Sequence, residues 1–234
     1  MANLHGRAEV FLDFKGQTQF AIFDWVTLPF KEAIEEFLKR SVMSARAFKR
    51  LTDAMRIKAF TIAGDHNQYT RQRVKDSLAD AIELGIPQAE WIAQTEGMFD
   101  RMGVTGRGRH HLDTVFETNV FGSYQHGRFR QQQSPAIIKA RPFLVYRTVG
   151  DDNVRDSHKA MEGFTAQRDH QIWGTWYPTN GFRCRCRVDA ISKRVAEKRG
   201  IASASSSRGV DPDEGFASNP GAWLEEPKKT RRKR

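Results

Sequence analysis

Apolar residues return every three or four positions through the first half of the chain and gather into short unbroken runs later, so helices come first and strands follow. Thr27 is placed to cap a helix with Pro29 in its first turn, and Phe30, Ile34 and Phe37 or Leu38 recur at helical spacing. Glu32, Glu35 and Glu36 precede Lys39 and Arg40, an order that suits the helix dipole. Ser44 opens a second helical pattern through Phe48, Leu51, Met55, Ala59 and Ile62, with Gly64 as its stop. A third pattern runs from about Gln68 to Leu84 before Gly85, and a fourth from about Gln88 to Met102 behind Pro87. The glycine-rich basic stretch Gly103 to His111 reads as a flexible hinge. A long helix over roughly Leu112 to Gln132 follows it, with Leu112, Val115, Phe116, Asn119 and Tyr124 mostly along one side.

Pro135 and Pro142 bracket a break, after which FLVYRTV is a β-branched and aromatic run of strand length. Asp151 begins a turn or helix that puts Arg155 and His158 on one face. The segment QIWGTWYPTNGFRCRCRVD predicts short strands joined by a Pro-Thr-Asn-Gly turn. Ser203 to Ser207 reads as a linker, and Asp211 to Trp223 as a turn-rich cap laying Phe216 and Trp223 against the body. The fold class is α+β, an N-terminal helical bundle followed by a small mixed α/β domain and an extended basic C-terminal tail.

Charge changes this picture only at one end. The 234 residues carry a formal +10, and the last seven, KKTRRKR, hold six of the basic groups, which leaves +4 on residues 1–227. Lys228, Lys229, Arg231, Arg232, Lys233 and Arg234 thus form a like-charged arm whose natural partner is the phosphate backbone of DNA, bound without regard to sequence. No run of about 18 apolar residues predicts a membrane span, and MANLHGRAEV lacks a signal-peptide core, so the protein is expected in the cytoplasm that makes it.

The only two cysteines, Cys184 and Cys186, stand at a C-x-C spacing too short for an unstrained disulfide. His158, Cys184 and Cys186 supply three ligands of the type zinc prefers, with His170 first and Asp169 second as the fourth. Zinc knuckles commonly use C-x2-C, however. A C-x-C in a strand points both sulfurs to one face, which suits a metal and equally suits two small buried hydrophobes. Both readings stay open, with no cofactor as the first expectation and structural zinc as the alternative. A thiol nucleophile with His158 as base and Asp151 as orienter is conceivable. The paired carboxylates of a magnesium nuclease are not displayed in any recognisable motif. In the structural reading Asp151 pairs with Arg155, His158 bonds a backbone carbonyl, and Trp173 and Trp176 shield the group. Asn119 faces protein, either as a satisfied core amide or in a network with the segment from Asp151 to His158.

The residues Asp151, Val154, Arg155, His158 and Gly163, followed by Trp173, Pro178, Asn180, Gly181, Phe182, Cys184, Arg185 and Cys186, resemble the signature of the Mu F-like minor head proteins of tailed phages, the head morphogenesis family. Thr114, Thr118, Asn119, Tyr124, Gly127 and Arg128 resemble the central helix of that family, and Pro212 to Trp223 its C-terminal turn. Asn153 and Asp156 depart from it, where Arg and Pro are common. The resemblance implies an arm at 1–27, a helical domain at 28–102, the head morphogenesis domain at 103–199, and linker, cap and basic tail at 200–234. It implies a structural, non-enzymatic head protein in the virion, near the portal and beside packaged DNA, with portal and scaffold or capsid proteins as partners. The alternative is a metal- or thiol-dependent enzyme, such as a nuclease injected with the genome.

Overall fold

A computed structural model describes residues 31–64, 67–101 and 109–219. The predicted N-terminal cap at Thr27, most of the hinge, Trp223 and the basic tail lie outside these residues. The helical half opens with α1 (Lys31–Leu38). Where the sequence predicts one helix from Ser44 to Gly64, the chain instead forms β1 (Ser41–Val42), α2 (Ala45–Phe48), α3 (Asp53–Arg56) and β2 (Ala59–Phe60). Ser44 does cap α2, accepting from the Ala47 N–H at 3.2 Å. Thr52 then turns extended and restarts the helix, and Ala59 and Phe60 leave it to pair in parallel with Ser41 and Val42. A pairing between segments 18 residues apart overrides the local 3.6-residue pattern here.

The next two helices follow the sequence closely. α4 (Gln68–Leu84) is capped by the Asn67 side chain and stopped by Gly85 in the left-handed region at φ 68°, where a residue without Cβ carries no steric penalty. α5 (Gln88–Arg101) follows Pro87. α6 (Arg109–Gln132) starts inside the predicted hinge, three residues before Leu112. Its first half closes a helical core with α1, α4 and α5, in which Phe37, Leu78, Trp91, Leu112 and Phe116 are almost wholly buried. Burial of this kind contributes about 1.5–3 kcal/mol per large side chain.

After α7 (Pro135–Ala140) the chain forms β3 (Phe143–Arg147), α8 (Asp156–Met161), β4 (Thr165–Gln167), a single 3₁₀ turn (Gln171–Gly174), β5 (Arg187–Ile191) and α9 (Lys193–Arg199). β3 is the central strand, antiparallel to both neighbours, with Leu144 opposite Ala166 and Ala190, and Tyr146 opposite Val188. Leu144, Tyr146, Met161, Phe164, Trp173, Trp176, Tyr177 and Val188 make the second core. The architecture is thus α+β, helices first and a small mixed region after. α6 serves both cores, because beyond Tyr124 it turns Gln125 and Gln132 to the backbone carbonyls of Cys186 and Val188 at 2.9 and 2.8 Å.

The segment Gln171 to Cys186 is not a set of strands. Asn180, fully buried, donates to the carbonyls of Thr175 at 3.1 Å and Tyr177 at 3.4 Å and accepts from the Tyr146 hydroxyl at 3.1 Å. One side chain therefore satisfies groups that a ladder would otherwise take. Ser203 to Ser207 is a compact turn, with Ser206 N–H donating to the Ser203 carbonyl at 2.9 Å.

Candidate functional site

The residues that carry the sequence motif converge where α8 meets the start of β5. Arg155 caps α8 in an extended conformation, so His158 falls on the buried face of the first turn. Cys184 and Cys186 precede β5 and turn both sulfurs toward that ring, with His158 Nδ1 at 3.8 Å from Cys184 Sγ and 3.5 Å from Cys186 Sγ. All three side chains are at most 2 % exposed. Trp176 closes the ring edge-on at 5.7 Å between centroids, and Tyr146 packs on Trp176 in turn. His158 Nε2 is buried without a hydrogen-bond partner among the described residues, with Asp213 Oδ1 at 3.9 Å.

The thiols are electrostatically unequal. Cys184 is held well below the usual thiol range, first by the hydrogen bond from Cys186 and then, against burial, by His158. Cys186 is pushed up by the same hydrogen bond and by burial. Burial pushes the Tyr146 hydroxyl up as well. Sulfurs and imidazole stand within reach of one another, and with both cysteines only 2 % exposed they open onto no more than a small cavity of about 20 Å³.

Several expected partnerships are replaced. Asp151 pairs with Arg185, not Arg155, through two bonds of 2.6 and 2.8 Å that hold its carboxyl below the usual range. Asp151 precedes the helix, so the four-residue spacing to Arg155 brings no helical adjacency. Arg155 instead reaches Asp213 at 3.0 Å and the Phe182 carbonyl at 2.8 Å. Among the described residues His158 bonds no carbonyl; Nδ1 faces the sulfurs. Trp173 lies against Phe164 and donates to the Gln167 carbonyl at 2.8 Å, leaving the shielding of His158 to Trp176. His170 does not join the cluster, because Nδ1 accepts from the Ile172 N–H at 3.1 Å and Nε2 lies 2.8 Å from the Ser203 carbonyl. Asp169 is exposed. The metal-ligand group among the described residues is His158, Cys184 and Cys186 alone.

Asp213 is a residue that the sequence reading missed. It lies in the C-terminal turn, where its N–H donates to the Asn180 carbonyl at 3.0 Å and Phe216 packs edge-on against Phe182. A Cβ at Gly181 would overlap the Asp213 carboxylate, which accounts for glycine at that position. Asn119 belongs to a second, unforeseen cluster in the helical half. Arg40 donates to both oxygens of Glu36 at 2.8 and 2.9 Å, to Ser123 Oγ at 3.1 Å and to Asn119 Oδ1 at 3.2 Å. His126 Nδ1 lies 3.0 Å from Glu36 Oε1. The available signal was Glu36 and Arg40 at i, i+4, a spacing that pairs side chains on one helix face.

Residues 72–189 match the model of the family described as Phage Mu protein F like protein, a span that holds His158, Cys184 and Cys186. The "Mu-like prophage FluMu F protein" of Haemophilus influenzae is 29% identical over 169 residues, covering 67% of this chain and 40% of that protein. The "Putative capsid assembly protein F" of Escherichia phage Mu is 26% identical over 206 residues, covering 79% of this chain and 46% of that protein. The chain therefore spans less than half the length of both curated relatives. No solved structure matches it.

Proposed function

We propose a function from the premise that this chain belongs to the Phage Mu protein F like family: it is a structural protein of a tailed-phage head that acts in capsid assembly and catalyses no reaction. The match across residues 72–189, with the assembly role in the name of the phage Mu relative, carries this reading. The site chemistry supports it, since His158, Cys184 and Cys186 are buried and join α8 to the β5 approach. No described helix is long and apolar enough to cross a membrane.

In the finer form of this proposal the helical half docks on portal or scaffold and the basic tail lies along packaged DNA. Leu38, Met55, Tyr69 and Leu84 are each more than half exposed, apolar side chains of the kind that partner surfaces cover. Lys228 to Arg234 neutralise about six phosphates, giving a log–log salt slope of about −5 for duplex DNA and about −4 for a single strand.

The deciding experiment co-expresses the tagged chain with portal, scaffold and capsid proteins and follows its sedimentation with procapsids. Co-sedimentation that weakens on Tyr69→Ser with Leu84→Ser and survives loss of Lys228 to Arg234 is the expected result. A chain that stays out of procapsids yet cleaves DNA would overturn it. Deleting Lys228 to Arg234 should flatten the salt dependence of binding equally for all sequences.

A further inference from the structure

We propose that His158, Cys184 and Cys186 form a zinc site of two thiolates and one imidazole, with water from the adjoining small cavity as the fourth ligand. Zinc takes tetrahedral sulfur and nitrogen ligands at about 2.3 and about 2.0 Å, which sets the nitrogen-to-sulfur edge of the tetrahedron at about 3.5 Å. The two edges here are 3.5 and 3.8 Å, and the three ligand atoms all lie within 4.8 Å of one another. They reach this geometry from segments 26 and 28 residues apart, so chain proximity does not impose it. Two buried apolar side chains would need no imidazole nitrogen between them.

The surroundings fit the same assignment. A metal-bound histidine presents its second nitrogen to an orienting carboxylate. Nδ1 faces the sulfurs, and the Nε2 side of the ring faces Asp213, which the 3.0 Å ion pair with Arg155 holds in place. A cavity of about 20 Å³ touches all three ligands and is lined also by Asn153, Arg155, Arg183 and Arg185. That is room for one water beside the metal, and among the described residues no other ligand-bearing side chain joins the three. Two thiolates balance the charge of the ion. The site would tie α8 to the start of β5 across a sheet of only three strands, an arrangement that small cores use for stability. Nothing in this assignment rests on the head-assembly reading.

The test uses the full chain, purified under reducing conditions, with zinc counted by elemental analysis and cobalt(II) as the spectroscopic probe. About one zinc per chain is expected, with cobalt giving thiolate-to-metal charge transfer and the intense bands of a tetrahedral ion. Cys184→Ser with Cys186→Ser should abolish uptake, His158→Gln should weaken it at least about tenfold, and His170→Gln should leave it unchanged. If the serine variant fails to fold, the cobalt spectrum of the unaltered chain decides. A reduced chain that takes up no stoichiometric zinc, cobalt bound without thiolate charge transfer, or zinc lost in His170→Gln would each overturn the site. A negative result leaves co-sedimentation with procapsids unaffected, so the two proposals fail separately.

Discussion

Two buried polar clusters adjoin α6, and they set different kinds of groups against one another. In the helical core, Glu36 and Arg40 share two hydrogen bonds, His126 lies 3.0 Å from the same carboxylate, and Asn119 and Ser123 each accept one further guanidinium N–H. Charge cancels between protein groups. In the sheet core, one imidazole nitrogen and two sulfurs face a common point, and the second imidazole nitrogen has no hydrogen bond among the described residues. Burial at such a site is tolerated either by closing the network with side chains or by admitting an ion. The first solution needs hard charges at helical spacing; the second needs soft donors brought from distant segments.

Removing the carboxylate breaks the contrast most severely. Glu36→Ala leaves the Arg40 side chain, 9% exposed, without its counter-charge, at a cost of about 3–5 kcal/mol. Urea unfolding should register it, and Glu36→Leu with Arg40→Met should recover most of the loss. A cost under about 1 kcal/mol would mean that water reaches the pair and that the helical cluster is not closed.

Acid offers a gentler way to open the same cluster. Burial is the largest effect on Glu36 and acts to raise its carboxyl, but Arg40 and His126 outweigh it and hold the value down to about 2, from 4.5. Because the folded value is depressed, the contribution is complete above pH 4.5 and is lost as pH falls through about 2, amounting to about 3 kcal/mol. Denaturation midpoints at about pH 6 and about pH 3 should therefore fall further for the native chain than for Glu36→Gln. Parallel changes in both proteins would assign the acid sensitivity to another group.

The sequence made the two clusters legible to different degrees. His158, Cys184 and Cys186 could be grouped by residue type, and the structure brings them together. Their distances could not be read, because the chain between His158 and Cys184, 26 positions apart, folds through a 3₁₀ turn and an Asn180-centred loop that no periodicity encodes. Glu36 and Arg40 are legible only as charges ordered to suit the helix dipole; their pairing and burial depend on α6 packing on α1, which places His126 beside Glu36. Local signals served best where the end of an element is chemically marked, as at Gly85 after α4. They served worst from Ser44 to Gly64, where hydrogen bonds between Ala59–Phe60 and Ser41–Val42 defeat a helical pattern. Asp213 was beyond reach, since nothing around it in sequence points to Arg155 or to the space that Gly181 leaves for it.

If the sheet cluster is finished by an ion, chelation should act on one core and spare the other. At free zinc about 100 times Kd, the metal stabilises the fold by about 2.7 kcal/mol, and a strong chelator should remove that amount. Amide exchange should quicken in β3, α8 and β5 while α4 and α5 stay protected. Uniform quickening would show that the two cores open as one unit, and no change at all would mean that the sheet core holds without the ion.

The smallest expected effect lies at the rim of the sheet cluster. Asp151 and Arg185 form the shortest ion pair among those described, at 2.6 Å, yet their side chains are 41% and 22% exposed. Water screens such a pair, and ordering two side chains offsets part of the gain, so Asp151→Asn should cost under about 1 kcal/mol. Added salt should shrink that cost further, whereas it should leave the cost of Glu36→Ala almost unchanged, because ions do not enter the helical core. Measuring both variants in low and high salt separates the effects. A salt-insensitive loss of more than about 2 kcal/mol for Asp151→Asn would mean that the pair behaves as a buried one. The division would then no longer be between two interior clusters, because Asp151 and Arg185 would have to be counted within the one that holds His158, Cys184 and Cys186.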